Sequence, residues 1–396
     1  MLKNKNITRF GENFIWLFLW NNVAYLFSFL TLPILIAKYG STNIGIVFTV
    51  QVLVLALAAI ANYSFTYFIP TQSKRITNNE DFRFNLWNTV VTIRLFFSVL
   101  LSLVSIFIVI IFFNQYLYLW LLSLFILLPK IINPILFCNA LEENSIVFKI
   151  GFFTKLIFLI LIYFTDKIYL INLFFGLSEF IVLLFFLSKM SLLNIRLISL
   201  KKIIDVLKQT YLLFLVSFFS LLKPASIIPA ISYLLGTQYA TYYTLADKIM
   251  NVIRGVSGSM FISFFPIYNK ENIQLNFFSR TIIILSGLAI FVIWTLSPFL
   301  IYYLNDFTYN NIATKTLQRL ALSIPSFFIV IPLISYLLDL KKWNVLLFFA
   351  ALQLIVLAIL IFTFHQNIIQ MAQNFVISEY VLVVGYYFYI IKYKEK

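Results

Sequence analysis

Asp247, Asn251 and Arg254 follow one another at spacings of four and three residues. On a helix they share one face, with Thr244 at its edge and Gly258 a turn further along. The opposite surface carries Ile249, Val252, Ile253 and Val256. Lys248 stands one step, about 100°, off the polar face. Asp247 and Arg254 are separated by about 10 Å along a helix axis. That separation predicts that they do not simply neutralise one another. A guanidinium and an ammonium held in such a stripe suit a phosphate or pyrophosphate, which Arg binds as a fork and Lys as a point charge.

The surrounding residues make that stripe expensive. The chain has 396 residues, 62% hydrophobic and only 11% charged, with a net charge of +15. Its mean hydropathy is +0.98. Apolar runs of about 20 residues, the length that crosses a bilayer, recur from end to end. A charge near the bilayer centre costs roughly 2.5–3.5 kcal/mol even on the lenient insertion scale. Within or beside such runs lie Arg94, Lys130, Lys155, Lys223, Lys248 and Arg254, against Glu179, Asp247 and Glu379. Lys223, Arg254, Lys248, Lys130 and Arg319 are the candidate substrate-binding cations. Asp247, Glu179 and Glu379 are candidates for ion coupling or for counter-ions. Arg94, Lys130 and Lys155 lie near enough to span ends to snorkel, so Arg94→Ala is expected to do little.

Weaker polar stripes occur at Asn21, Tyr25 and Ser28, at Gln51 and Asn62, at Ser220, Lys223 and Ser226 around Pro224, and at Arg319, Ser323 and Ser326. Polar groups at depth face a bundle interior or a wet cavity. Asn21, Tyr25, Ser28, Gln51, Asn62, Asn251 and Ser323 are therefore expected to line one.

Other chemistry is excluded. Single Cys138 and single His365 leave no disulfide framework and no Cys/His metal cluster. Gly40 and Gly45 have the spacing of a phosphate-binding loop, but Ile46 and Val47 stand where Lys and Ser/Thr are required. No catalytic residue, metal or cofactor is expected. The positive charge is accounted for by the membrane, so no nucleic acid is implied.

Polar punctuation divides the chain into twelve expected spans, near 14–37, 44–69, 89–113, 117–140, 146–164, 168–188, 210–235, 239–267, 281–304, 317–338, 345–364 and 373–391. The first is too long for a cleavable signal and reads as a transmembrane helix. With the N-terminus inside, 19 of the 29 Lys and Arg fall in inner segments, four in outer ones and six within spans. The positive-inside rule then puts both termini in the cytoplasm. The longest outer loop runs only from Asn305 to Thr316, too short for the catalytic loop of a polymerase or glycosyltransferase.

The fold class expected is an all-α polytopic membrane protein, with two six-helix lobes around a central cavity. The N-terminal lobe is 1–190, the linker 191–209 and the C-terminal lobe 210–396. The linker, with Arg196, Lys201, Lys202 and Lys208, reads equally as an amphipathic helix on the anionic inner leaflet or as a solvated basic segment. "LPILIAKYGSTNIG" from Leu32 aligns with "IPAISYLLGTQYAT" from Ile228 at an offset of 196 residues, matching Pro33 to Pro229, Gly40 to Gly236 and Ser41 to Thr237. A parallel duplication is the reading of that match.

"PILIAKYGSTNIGIVFTVQVL" resembles the opening of bacterial polysaccharide flippases, the Wzx-type O-antigen translocases of the multidrug/oligosaccharidyl-lipid/polysaccharide exporter superfamily. "NPILFCNALEENSIVFK", from Asn133, resembles the end of their fourth helix. In "YLLGTQYATYYTLADKIMNVIRGVSGSMFISFFPIYNK", Gly236, Tyr242, Ala246, Asp247, Lys248, Ile249 and Pro266 fill the positions of that family's pattern. Many members carry an Asp in the seventh helix before its Gly turn, where this chain reads "SIIPAISYLLG", so no coupling residue is carried over. The resemblance implies a flippase of the bacterial inner membrane, moving an undecaprenyl-pyrophosphate-linked oligosaccharide for O-antigen, lipopolysaccharide or capsule assembly. Its partners would be membrane lipids and the polymerase and chain-length proteins of the same pathway. The alternatives are a multidrug-type exporter of the same superfamily and a polysaccharide polymerase.

Overall fold

The computed structural model describes residues 30–141, 143–189, 196, 198–271, 275–340 and 342–394, together with Ile15, Trp16, Leu19 and Phe27. Asn21, Tyr25 and Ser28, the polar stripe expected of the first span, lie outside the described residues. All regular structure among the described residues is helical. The helices are α1 (Leu30–Tyr39), α2 (Ser41–Ala61), α3 (Phe65–Thr71), α4 (Ser73–Asn78), α5 (Glu80–Phe112), α6 (Leu117–Ser123), α7 (Leu127–Ile131), α8 (Ile135–Ala140) and α9 (Asn144–Phe164). They continue with α10 (Leu170–Lys189), α11 (Leu200–Leu234), α12 (Thr237–Glu271), α13 (Leu275–Leu304), α14 (Asn311–Ala321), α15 (Ile324–Asp339), α16 (Trp343–Thr363) and α17 (Ile368–Lys394).

Nine stretches among the described residues are long and apolar enough to cross a bilayer. Three further spans expected from the sequence fall short for separate reasons. The first lies largely outside the described residues, leaving α1. The eighth is α12, whose polar face lowers its hydropathy. The tenth is divided at Leu322 and Ser323 into α14 and α15. The fourth is broken as its prolines require: Pro134 has no N–H to donate, and the stretch divides into α6, α7 and α8 with tighter turns between them. The protein is a polytopic all-α membrane protein of about twelve spans.

Two compact units make up the described chain. One joins the residues up to Gly45 with those from Leu222 onward, and the other is Ile46–Leu221. The second unit is centred on an apolar cluster in which Trp87 meets Phe137 edge-on at 5.3 Å and Tyr63 stacks on Phe214 at 4.3 Å. Residues 200–209 are the first turns of α11. Ile203 on this stretch is buried in the same cluster, while Lys201, Lys202 and Lys208 are exposed. At the other extreme, α5 presents Leu103, Phe107 and Ile111 outward, as a helix in contact with acyl chains must.

In the first unit, α12 packs on α14, α15 and α17, and α16 on α17. Gly40 and Gly236, matched by the 196-residue offset, both adopt positive φ (+78° and +111°) and end α1 and α11. The helices that follow them touch reciprocally. Thr241 donates its hydroxyl to the carbonyl of Ser41 at 2.6 Å, and a Cβ built on Gly45 would lie 1.9 Å from the carbonyl oxygen of Thr237. Ser41 corresponds to Thr237 and Gly45 to Thr241, so each contact is the counterpart of the other. A two-fold relation between the starts of α2 and α12 produces this pattern, and it supports the duplication.

Candidate functional site

The polar face of α12 exists as the spacing requires, and its charges meet. Arg254 Nη1 lies 2.8 Å from Asp247 Oδ1, and Asn251 bridges them, donating Nδ2 to Asp247 Oδ2 at 2.9 Å and accepting from Arg254 Nη1 at 2.6 Å. This corrects the expectation that Asp247 and Arg254 are too far apart to pair. A helical side chain leans toward the N-terminus, and the long Arg stem carries the guanidinium back over the two turns that separate the backbones.

Four helices, α11, α15, α16 and α17, complete the group within the same unit. Lys223, midway along α11 and next to Pro224, pairs with Glu379 of α17 at 2.5 Å. Gln353 of α16 donates to the other oxygen of Glu379 at 3.4 Å. Phe375, one turn before Glu379 on α17, puts its ring 5.2 Å from Lys223 Nζ and 5.4 Å from the Arg254 guanidinium carbon. Phe327 of α15 covers Arg254 at 4.7 Å. Both cations therefore converge on one aromatic ring, and each already holds a carboxylate. Lys248 is half-buried beside Asp247 on α12. Tyr243, one turn before Asp247, is buried and its hydroxyl has no hydrogen-bond partner among the described residues.

The second unit holds its charges differently. Lys130 of α7 pairs with both oxygens of Glu179 of α10, at 2.6 and 2.7 Å, and keeps 30% of its side chain exposed. Arg94 is only 3% exposed, which corrects the expectation that it snorkels. It donates from Nε and Nη2 to Asn62 Oδ1 at 2.9 and 2.7 Å, and from Nη1 to the carbonyls of Asn133 and Ile131 at 2.9 and 3.4 Å. Those carbonyls are orphans of the proline break. Ile135 N is capped by Asn133 Oδ1, and Phe137 N turns to the carbonyl of Pro134. Arg94 is thus a clamp on broken backbone, and Asn62 is part of the clamp.

The remaining expected residues join neither group. Gln51 is half-buried on α2. Arg319 is exposed in the last turn of α14, and no hydrogen bond or ion pair among the described residues ties it to the Lys223–Arg254 group. Ser323 is buried with its hydroxyl turned to the carbonyl of Leu320. Sequence reasoning missed Phe375, Gln353, Phe327 and Asn133. For Phe375 a signal existed, since it precedes Glu379 by four residues and so shares its face. The other three are ordinary residues until packing places them.

No family model matches the chain, and no curated protein matches it by sequence. Solved structures do match. The lipid II flippase MurJ, in an inward closed conformation, superposes with a TM-score of 0.72 at 14% identity, over 93% of this chain and 85% of that one. A MOP superfamily transporter from Pyrococcus furiosus gives 0.70 at 14% identity over 97% and 95%. The Vibrio cholerae MATE transporter VcmN in its bent form gives 0.64 at 14% over 96% and 97%. The fold is that of MOP superfamily transporters, and these similar structures are transporters and flippases rather than enzymes.

Proposed function

We propose that this chain is a flippase that turns over an undecaprenyl-pyrophosphate-linked oligosaccharide, an O-antigen or capsule repeat unit, across the bacterial inner membrane. The observation that carries the reading is the convergence of Lys223 and Arg254 on Phe375 inside an apolar helical unit. Two half-buried cations within reach of one ring match the two phosphates of such a head group, with Arg254 as the fork and Lys223 as the point charge. The likeness to MurJ, which is named a lipid II flippase, supports the class. The polyprenyl tail stays in lipid while the head crosses, and access alternates between the two sides of the membrane. Nineteen basic residues in the inner segments against four in the outer ones support cytoplasmic termini.

The test is complementation of a strain lacking the gene. Wild-type protein restores surface polysaccharide, while Lys223→Gln and Arg254→Gln leave single lipid-linked units on the inner leaflet at equal amounts of inserted protein. Normal export by both variants overturns the phosphate site. The second reading is a multidrug-type exporter, favoured by the likeness to MATE structures. It predicts drug sensitivity with normal polysaccharide in the same strain.

A further inference from the structure

Two ion pairs of the first unit, Lys223–Glu379 and Arg254–Asp247, are built alike. Glu379 places one oxygen on Lys223 and the other 3.4 Å from the carboxamide of Gln353. Asp247 places one oxygen on Arg254 and the other 2.9 Å from the carboxamide of Asn251. In both, an acid spans a cation and a neutral amide donor. Both cations keep the Phe375 ring as a further contact. The Lys223–Glu379 pair is the deeper, with side chains 12% and 6% exposed, against 23% and 22% for Arg254 and Asp247.

Each of these two pairs is neutral taken by itself. An anion approaching it gains nothing at range from the cations, because each is cancelled by its acid a few ångströms away. A phosphate that reached either cation with the carboxylate still in place would meet a like charge. An acid that swings off its cation is not left bare, since its second oxygen already has an amide donor. The cation it leaves keeps its aromatic face.

We propose that Glu379 and Asp247 occupy the substrate's phosphate positions in the empty protein, and that binding is an exchange. The pyrophosphate oxygens take Lys223 and Arg254, and the carboxylates fall back on Gln353 and Asn251. The idea rests on reading Lys223 and Arg254 as the phosphate site. Its consequence is release. The tethered carboxylates are permanent competitors, and by reclaiming the cations they expel a head group that two cations without them would hold too long.

The experiment uses the full chain in lipid nanodiscs, with farnesyl pyrophosphate as the probe and farnesol as the uncharged control. Glu379→Gln and Asp247→Asn keep shape and remove the competing charge. Each is expected to tighten farnesyl pyrophosphate binding by about tenfold, the scale of one hydrogen bond to a charged group, and to slow turnover in reconstituted translocation. Lys223→Gln and Arg254→Gln are expected to weaken binding by about tenfold, and Lys223→Gln/Glu379→Gln to bind as weakly as Lys223→Gln alone. Farnesol binding should be the same in all. Unchanged or weaker binding in both acid variants, with Lys223→Gln still weakened, overturns the exchange and leaves the phosphate site standing. Wild-type binding in both cation variants overturns the phosphate site itself. Should Glu379→Gln not fold, Asp247→Asn decides alone, since its pair is the more exposed.

Discussion

Arg94 and Lys223 are both basic residues inside apolar helices, yet their surroundings assign them different work. Arg94 meets only neutral oxygens among the described residues, three of them made available by the break at Pro134 and the turn at Asn62. Removing it strands buried acceptors at about 1–3 kcal/mol each. Arg94→Ala is therefore expected to lower stability by about 3 kcal/mol or more, seen as earlier thermal unfolding in detergent and less inserted protein. Arg94→Lys should recover little of this, because a point ammonium cannot bridge Asn62 and two carbonyls as the planar fork does. Lys223 has an acid partner and an aromatic cover, and its substitution should be read in binding rather than in the amount of protein.

At the scale of elements, the close approach of α2 and α12 is the most constrained contact. An Ala side chain at Gly45 would strike the backbone oxygen of Thr237, which cannot move without displacing α12. At Gly385 the same methyl would meet the Phe349 ring at 2.3 Å, and a ring can swing aside. Gly45→Ala should thus cost more than Gly385→Ala, by about 2 kcal/mol, in a denaturation series run side by side. Equal losses would show that α2 and α12 part freely at this point. Thr241→Val removes only the hydroxyl bond to Ser41 and should cost about 1 kcal/mol.

For the whole molecule, the proposed direction of insertion rests on the distribution of Lys and Arg. Cys138 is the single cysteine and is fully buried, so the native background for thiol labelling is low. With Cys138→Ser as the parent, Lys202→Cys should label with an impermeant maleimide only from the cytoplasmic side and Lys315→Cys only from the outer side. The reverse pattern would invert the proposed topology and the direction of transport. Both positions are exposed, so a negative result reflects sidedness rather than burial.

The sequence by itself determined the membrane class, the helical architecture, the polar face of α12 and the identity of the costly charges. Hydropathy is a sum over neighbours along the chain, and the helical period follows from backbone geometry alone, so both can be read without a fold. The glycine turns at Gly40 and Gly236 were legible for the same reason. Pairing was not. Glu379 is 156 residues from Lys223, and Glu179 is 49 from Lys130, and no local pattern joins them. Even within one helix, the meeting of Asp247 and Arg254 depends on the reach of a side chain rather than on the rise between backbones. The depth of Arg94 depended on where a proline break in another segment left its carbonyls. Only the tertiary structure decided that Lys130, Lys223 and Arg254 are neutralised while Arg94, among the described residues, is not, because Coulomb energy depends on separation in space, which chain order does not set.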